Sequence, residues 1–263
     1  MSQRVTTKIY NHIAHVQLTR PDKMNALDME MLEAIIAAGE TLMLQKSVRA
    51  VVLSGAGKAF CAGLDVMSLA AIAAAAGARD IEERTHGDCN LFQRVTMIWR
   101  DLRMPVIAAI HGTAFGGGFQ IMLGADIRVI APDTKLSIME VKWGLTPDMG
   151  GTVLMPELAR ADIVRELTYS GRVFSGADAK EYGFATHLAD DPLSKAMEIA
   201  TLIADQSPHS VRVSKALLSA AQFNDRPAQL LAEAKAQKEL IAGVNQKEAV
   251  MAGMTKTKAV FSD

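Results

Sequence analysis

Three segments that contain glycine hold the residues with the clearest potential for chemistry, at positions 55–66, 110–120 and 139–152. The third contains two carboxylates, Glu140 and Asp148, on either side of a bend that includes glycine and proline. A carboxylate held over a reacting carbon can remove and return a proton, so this pair would suit general acid–base catalysis. Carboxylates are also common as solvated charges, helix caps and turn residues, so the chemistry depends on the elements that position them.

The segment 110–120 follows an apolar run typical of a buried strand and contains three successive glycines at 116–118. Such glycines can leave backbone N–H groups free at a helix N-terminus, where they suit a developing negative charge. Close packing of a helix on a strand explains them equally well, and the two readings are compatible because an oxyanion site needs a close backbone approach. Gln120 follows them; its amide can orient a water or a substrate but cannot shuttle a proton near neutral pH.

The segment 55–66 matches neither of the common glycine-rich phosphate motifs. No Ser or Thr follows Lys58, as a phosphate-binding loop would require, and the dinucleotide pattern GxGxxG is absent from this segment. The residues instead favour a turn after a strand and a tight bend at 62–63. An oxidoreductase that uses NAD is therefore disfavoured.

Cysteine and histidine offer little further chemistry. Nothing in the spacing places Cys61 and His111 together as a nucleophilic pair. No HxxxH or HExxH pattern occurs, and His12 and His15 fall on a strand pattern in which they would face opposite sides. We therefore predict no metal site.

The elements that must position these segments alternate along the first half of the chain. Apolar patterns predict strands at 13–18, 49–53, 105–110 and 126–130, and helices at 29–44, 66–79 and 88–102, the first capped by Asp28. This alternation favours an α/β fold with a largely parallel sheet. After about residue 155 the strand signal fades, and helices are predicted at 161–170, 177–182, 193–204, 211–221, 227–242 and 247–259. We predict a core at 1–200 and a helical region at 201–263.

The composition is that of a globular protein and excludes several classes of partner. Of 263 residues, 49% are hydrophobic and 22% charged, and the net charge is −1 with the signs well mixed, which argues against a broad nucleic-acid or membrane-surface field. Two cysteines cannot form a disulfide framework, so we expect reduced thiols in the cytoplasm. We also expect no secretory leader and no membrane span, because the apolar runs are too short.

Four motifs occur in a fixed order and together resemble the crotonase family of enoyl-CoA hydratases and isomerases. They are RPDKMNAL at 20–27, FCAGLD at 60–65, GTAFGGG at 112–118 and GLTPDMGG at 144–151, with later similarity at 170–179 and 182–184. The resemblance implies a ββα spiral core with a C-terminal helical region, assembled as a trimer or a pair of trimers. It also implies an acyl-CoA thioester as substrate, with no cofactor beyond the coenzyme A of that substrate.

The same resemblance implies site residues. Two backbone N–H groups, those of Leu64 and Gly117, would hold the thioester oxygen, which gains charge when an enolate forms. Coenzyme A contacts would fall on Asp22, Lys23, Met24, Ala62, Leu64 and Val66. Lys256 matches a basic position that reaches the coenzyme A of an adjoining subunit in relatives, although Gly253 stands where an aromatic residue often accompanies it.

The acid–base residues decide which reaction the resemblance implies. Hydratases of the family use two glutamates; Gln120 stands at the first position and Glu140 at the second. Several isomerases carry a carboxylate at the position of Asp148. We therefore expect double-bond isomerisation of an enoyl-CoA, with Asp148 as the base and Glu140 assisting. Burial near Trp143 and Met149 would raise the pKa of such a base.

Several alternatives remain open at this point. One is an enoyl-CoA hydratase with a rearranged acid–base pair, and another is a non-catalytic acyl-CoA-binding scaffold. Thioester hydrolysis, decarboxylation and dehalogenation also occur in the family. The acyl chain is not identified, and the alanine-rich stretch 69–79 is expected either to shape the acyl pocket or to serve helix packing.

Overall fold

The computed structural model of the protein describes residues 3–68 and 81–263. Of the segment 66–79, predicted as a helix, the structure describes only a 3-10 turn at Val66–Ser68; the rest of the segment lies outside the described residues. The alanine-rich stretch 69–79, expected either to shape an acyl pocket or to serve helix packing, therefore lies outside them as well. Within the described part, no helix is both long enough and apolar enough to cross a membrane.

The described residues form two sheets. Their strands, in chain order, are β1 (Val5–Tyr10), β2 (Ile13–Leu18), β3 (Ala50–Gly55), β4 (Val106–Ile110), β5 (Thr113–Phe115), β6 (Ile127–Ile130), β7 (Lys135–Ser137), β8 (Phe174–Ser175) and β9 (His187–Leu188). The main sheet has the order β1-β2-β3-β4-β6-β9, and the smaller sheet has the order β5-β7-β8. Only the β1–β2 and β7–β8 pairs are antiparallel, so the prediction of a largely parallel sheet is confirmed.

Ten α-helices surround the sheets in the described part of the chain. They are α1 (Met29–Met43), α2 (Leu91–Asp101), α3 (Gly117–Leu123), α4 (Gly151–Leu158), α5 (Ala161–Ser170), α6 (Gly176–Tyr182), α7 (Pro192–Ala204), α8 (Pro208–Ala220), α9 (Arg226–Leu240) and α10 (Val244–Thr255). The Asp28 side chain accepts a hydrogen bond from the Met31 N–H, which confirms the predicted cap of α1.

Helices cover both faces of the main sheet. Every residue of β3 and β4 is buried, as expected for parallel strands enclosed on two sides. One face shares a core with α1 and α2. The other packs on α7 through Ala196, Ala200 and Ala204, whose small side chains let the helix lie close to the strands.

Two short strands after residue 155 were not predicted, and one prediction about a strand is wrong. Strands do continue after residue 155, because β8 pairs with β7 and β9 extends the main sheet beside β6. Each has two residues, which is too short for an alternating pattern to appear in sequence. His12 does not lie on a strand: it occupies the tight turn between β1 and β2 with φ +65, and only His15 belongs to β2.

The residues after α7 are connected to the main sheet by two buried cations. The Lys215 ammonium of α8 forms an ion pair with Asp126 at 2.8 Å, directly before β6. The Arg49 guanidinium, at the start of β3, binds Asp263 at 2.7 Å and the Phe261 carbonyl at 2.8 Å. The boundary at residue 200 between a core and a helical region stays a prediction.

Candidate functional site

A cavity of about 90 Å³ lies where the three glycine-containing segments meet. It is bounded by the ends of β5 and α3, by the bend after residue 61 and by the 3-10 turn Glu140–Trp143. Its lining residues are Ala62, Gly63, Leu64, Phe115, Gly116, Gly117, Met139, Glu140, Trp143 and Leu145. The fold thus brings together four of the residues predicted for the site: Ala62, Leu64, Gly117 and Glu140.

The bend that contains Leu64 is held by Leu27. The Leu27 N–H donates to the Gly63 carbonyl at 2.8 Å, and the Leu27 carbonyl accepts the Asp65 N–H at 2.9 Å. Neither the Leu64 N–H nor the Gly117 N–H donates a hydrogen bond to any residue that the structure describes. Both residues line the cavity, so these N–H groups could donate to an oxygen of a bound ligand.

Two glycines leave the space that this close packing around the cavity needs. Gly63 has φ +87, and a Cβ there would lie 2.6 Å from the Phe115 carbonyl oxygen. A Cβ on Gly117 would lie 2.7 Å from the Met149 Sδ and 2.9 Å from the Leu27 Cδ1. A side chain at position 63 would push apart the two backbone segments that border the cavity, whereas one at position 117 would displace the ends of the Met149 and Leu27 side chains.

Gln120 connects the cavity to the third segment. Its side chain is fully buried in α3, and its Nε2 donates to Glu140 Oε1 at 2.6 Å. Its Oε1 accepts the N–H groups of Met149 and Gly151, each at 2.9 Å. The amide orientation follows from this network, since two backbone donors require the oxygen on their side.

Glu140 is the carboxylate that lines the cavity. Its Oε2 is buried and has no hydrogen-bond partner in the described part of the chain. Burial raises the pKa of Glu140, the hydrogen bond from Gln120 opposes that rise, and the nearby carboxylate of Asp148 adds to it. An under-hydrated carboxylate with one free oxygen is well suited to accept a proton.

Asp148 is near enough to this carboxylate to raise its pKa, but it is not among the residues that line the cavity. It occupies the loop before α4, remains accessible to solvent, and is flanked by buried Pro147 and Met149. Partial loss of hydration raises the pKa of Asp148, as expected from the sequence. Trp143, which was expected to help bury it, is itself 55% exposed.

The residues predicted to contact coenzyme A lie on two adjoining segments. Asp22 and Lys23 belong to an exposed 3-10 turn that ends at Met24, whose φ is +50. The Met24 carbonyl accepts the Ala62 N–H at 2.9 Å, which joins this turn to the cavity wall. Val66 begins the 3-10 turn that follows Asp65.

Lys256 lies at the end of the last helix. It terminates α10 in a left-handed conformation, and its side chain is exposed. It is not among the residues that line the cavity. A contact between Lys256 and coenzyme A therefore stays a prediction.

The first motif contains residues whose positioning role the sequence analysis did not assign. The Arg20 guanidinium binds Asp65 at 2.8 Å and the Ala26 carbonyl at 3.0 Å, and it lies 3.4 Å from Asp28. It therefore connects the segment before α1 to the bend that contains Leu64. The motif was visible in the sequence, but its partners lie up to 45 residues away along the chain.

Asn25 joins the same two segments from inside the protein. It is fully buried with φ +55, a conformation that asparagine tolerates better than most residues. Its side-chain amide donates to the carbonyls of Ala56, Ala59 and Phe60 at 2.8–3.1 Å. One asparagine amide thus helps to hold the segment that leads from β3 to the bend.

Cys61 and His111 do not form a nucleophilic pair. The buried Cys61 thiol donates to the Asn25 carbonyl at 3.1 Å, and burial raises its pKa to about 12. The His111 Nε2 is hydrogen-bonded to the Gly57 carbonyl at 2.9 Å. A thiol with so high a pKa supplies almost no thiolate, so nucleophilic catalysis through Cys61 is disfavoured.

The chain is similar in sequence to several known proteins. The chain is 32% identical over 253 residues to the Bacillus subtilis protein YngF, covering 95% of this chain and 94% of that one. It is 32% identical over 216 residues to the mitochondrial Delta(3,5)-Delta(2,4)-dienoyl-CoA isomerase of Mus musculus, covering 80% of this chain and 66% of the relative. It is also 32% identical over 203 residues to the enoyl-CoA hydratase EchA19 of Mycobacterium tuberculosis, covering 76% of this chain and 74% of the relative.

The fold is shared with solved structures. The crystal structure of an enoyl-CoA hydratase from Bacillus anthracis superposes with a TM-score of 0.90 at 29% identity, covering 98% of this chain and 99% of that one. This confirms the predicted crotonase-like α/β fold. The family model for enoyl-CoA hydratase/isomerase matches residues 8–263. The chain therefore belongs to the enoyl-CoA hydratase/isomerase family of enzymes.

Proposed function

We propose that the protein isomerises the double bond of an enoyl-CoA thioester. The thioester oxygen would accept hydrogen bonds from the N–H groups of Leu64 and Gly117. The observation that carries the proposal is the pair formed by Glu140 and Gln120: one carboxylate lines the cavity, and an amide stands where a hydratase would have its other carboxylate. Isomerisation needs no bound water, whereas hydration by two carboxylates does.

The reaction would proceed through an enolate. Glu140 Oε2 takes a proton from C2 of a 3-enoyl-CoA, and the C–H electron pair is delocalised onto the thioester oxygen. When the carbonyl re-forms, the double bond moves to C2–C3 and C4 takes a proton from the acid form of Asp148. Solvent exchange then returns the two carboxyl groups to their starting states. Donors such as these two N–H groups each account for about 10²–10³ in rate in well-studied enzymes.

This assignment reverses the order of the two carboxylates expected from sequence. Glu140 is proposed as the base at C2 because it lines the cavity beside Leu64 and Gly117, and C2 is bonded directly to the thioester carbon. Asp148 is proposed to act at the far end of the allylic system because it lies outside that lining. Its raised pKa favours the protonated form that donation requires.

Two named relatives support different versions of the reaction. The dienoyl-CoA isomerase of Mus musculus suggests that the proton could be moved across a longer conjugated system. The hydratase EchA19 keeps water addition as the second candidate, with Glu140 as the acid–base residue that remains. Gln120 weighs against hydration because it cannot accept a proton.

The test is to incubate the purified protein with 3-enoyl-CoA, 3,5-dienoyl-CoA and trans-2-enoyl-CoA of matched chain length in deuterium oxide. Products and their deuterium positions are read by chromatography and mass spectrometry. We expect double-bond migration to exceed water addition, and Glu140→Gln and Asp148→Asn each to lower kcat/KM by about 10²-fold or more. Asp133→Asn, an exposed turn carboxylate, is the matched control.

The deuterium positions separate the two roles. Glu140→Gln should abolish exchange at C2, whereas Asp148→Asn should keep C2 exchange and lose the shifted product. Fast water addition that depends on Glu140 would establish the hydratase instead. No turnover of any of the three thioesters, with binding of acyl-CoA retained in calorimetry, would indicate the scaffold or another reaction of the family.

We further propose assembly as a trimer or a pair of trimers in the cytoplasm, with coenzyme A as part of the substrate and no other cofactor. Support comes from the last helices: α9 has no buried residue, and apolar side chains on α9 and α10 are exposed. These are Leu230, Leu231, Val244, Val250, Met251 and Met254. In such an assembly Lys256 would reach the coenzyme A of an adjoining subunit, and Asp22, Lys23, Met24, Ala62, Leu64 and Val66 would contact it within one subunit.

A further inference from the structure

We propose that Gln120 is a positioning residue that holds Glu140 by Oε1, so that Oε2 is the one oxygen left to accept a proton, and that the same amide holds the loop that carries Asp148. This inference rests on the proposed function of the site. In this proposal the buried side chain of Gln120 sets the positions of the Glu140 and Asp148 carboxylates relative to each other.

The orientation of the Gln120 amide is fixed from both ends. Its oxygen accepts from Met149 and Gly151, and its nitrogen donates to Glu140. A rotation by 180° would place the NH₂ group against two N–H donors and the oxygen against a carboxylate, which breaks all three hydrogen bonds. Because the side chain is fully buried, water could not replace them.

The two oxygens of Glu140 are thereby made different. Oε1 is engaged at 2.6 Å, whereas the buried Oε2 has no partner among residues 3–68 and 81–263. Oε1 is stabilised by the Gln120 donor, whereas Oε2 has no such side-chain donor in the described part of the chain. The amide therefore selects which oxygen acts, as well as holding the carboxylate in place.

An amide also has an electrostatic advantage over a carboxylate at position 120. A glutamate there would place a second carboxylate oxygen about 2.6 Å from Glu140 Oε1, and like charges at this distance must share a proton. Gln120 supplies a donor instead, which opposes the rise in the Glu140 pKa caused by burial. The amide thus keeps Glu140 available in its ionised form.

The same side chain determines where the Asp148 loop lies. Its two backbone donors flank Gly150, which has φ +88 and precedes α4. A Cβ on Gly151 would lie 2.7 Å from Gln120 Oε1, so the loop packs directly on the amide. Asp148 immediately precedes Met149, so any movement of the amide would shift both carboxylates.

Two substitutions separate the contacts of Gln120. Gln120→Glu keeps an acceptor for both loop N–H groups and replaces the donor to Glu140 by a negative oxygen. Gln120→Met has a similar length and removes both functions. Gln93→Glu is the matched control, because Gln93 Oε1 likewise accepts a backbone N–H, that of Asn90, in the capping box of α2.

The first measurement needs no substrate. The glutamate side-chain carboxyl carbons are labelled with ¹³C, and the Glu140 NMR resonance is assigned by its loss in Glu140→Gln. The chemical shift of that resonance is then followed against pH in the wild type and in each variant. We expect the pKa of Glu140 to rise in both Gln120→Glu and Gln120→Met and to stay unchanged in Gln93→Glu. An unchanged Glu140 titration in two folded Gln120 variants would overturn the proposal.

The second measurement is the pH profile of kcat/KM with 3-enoyl-CoA. At pH 7 we expect both Gln120 variants to fall about tenfold or more. In Gln120→Glu the rate should recover as pH rises and the carboxyl pair ionises, whereas in Gln120→Met it should recover less because the loop is released. Equal recovery in the two variants would show that the loop contacts are irrelevant and would overturn that half of the proposal.

The two measurements distinguish this proposal from the proposed function. If the wild-type protein fails to isomerise any enoyl-CoA while the Glu140 titration shifts as expected, the function is wrong and the positioning role stands. If isomerisation is fast and the Glu140 titration does not respond to position 120, the function stands and the positioning role is wrong.

Discussion

At the scale of single residues, the site contains polar groups that have no hydrogen-bond partner among the described residues. Glu140 Oε2 is buried without a hydrogen bond, and the N–H groups of Leu64 and Gly117 donate to none of the described residues. Leaving polar groups unpaired costs stability, so their presence at one cavity favours function over packing. Two substitutions test this at individual positions.

Glu140→Gln should raise stability at high pH and leave it unchanged at low pH. The native pKa of Glu140 lies above that of the unfolded chain because of burial, so the wild type loses stability as pH rises through these two values. The neutral variant does not. We expect a gain in Tm of about 2 °C at pH 8 and none at pH 4, measured by calorimetry.

The control for this change is Glu33→Gln on the exposed face of α1, which should alter Tm by less than about 1 °C at either pH. A Glu140→Gln variant that is less stable than the wild type at pH 8 would contradict the prediction. Such a result would mean that the charged form of Glu140 contributes to holding the fold.

Gly63→Ala should lower kcat/KM by about 10²-fold or more with little change in secondary structure. The new Cβ would lie 2.6 Å from the Phe115 carbonyl oxygen, so the Leu64 N–H next to it must shift. Gly87→Ala is the matched control, because Gly87 also has a positive φ, +74, but open space around it. If both variants lost activity equally, the loss would be due to backbone strain and not to the contact with the Phe115 carbonyl.

At the scale of elements, the glycine-containing segments are held in position by hydrogen bonds and ion pairs to residues that are distant in sequence. Leu27 holds both sides of Leu64, Arg20 binds Asp65, and Asn25 binds three carbonyls of the segment after β3. The α8 helix is likewise fixed to the start of β6 by the pair of Lys215 and Asp126. The local sequence determines whether a segment forms a helix or a strand. These long-range contacts then determine its position in the fold.

Lys215→Met should destabilise the protein by about 3 kcal/mol, because it leaves Asp126 largely buried without its cation. The Lys215 ammonium also donates to the Trp99 and Met104 carbonyls, which would lose a partner. The measurement is the shift in the urea midpoint at unchanged m value. Lys195→Met, which removes an exposed pair with Glu198, should cost less than about 0.5 kcal/mol; equal shifts would refute the prediction.

The sequence predicted long elements well and short ones poorly. The cap at Asp28, the strands that became β2, β3, β4 and β6, and most helices follow from local pattern. The three-residue β5 and β7 and the two-residue β8 and β9 do not, because they exist only through pairing with distant strands. The helix α4 was missed as well, since Gly150 and Pro156 suppress the local helical signal.

For the site, motif similarity predicted which residues lie close together, but it did not predict the hydrogen bonds between them. Ala62, Leu64, Gly117 and Glu140 do meet at one cavity. That Gln120 joins Glu140 to Met149 could not be read from the chain, because these partners lie 20 and 29 positions away. The roles of the individual residues stay predictions until the variants are measured.

At the scale of the whole molecule, the main sheet is covered on both faces, whereas the last helices leave apolar surface uncovered. We expect self-association, with a mass by light scattering of three or six times 28.3 kDa. The double substitution Leu231→Glu with Met254→Glu should lower that mass, because each places a charge on an exposed apolar position. Lys235→Glu, also on α9, is the control; an unchanged mass in the double variant would place the interface elsewhere.

The buried thiol of Cys61 has a kinetic consequence. Alkylating and oxidising reagents need the thiolate, which a pKa of about 12 makes scarce, and they cannot reach a sulfur that is fully enclosed. Modification must therefore wait until the bend that contains Leu64 separates from α3, since Gly118 packs against Cys61. The rate of labelling at Cys61 would then report how often this contact opens, and a bound acyl-CoA should slow that labelling.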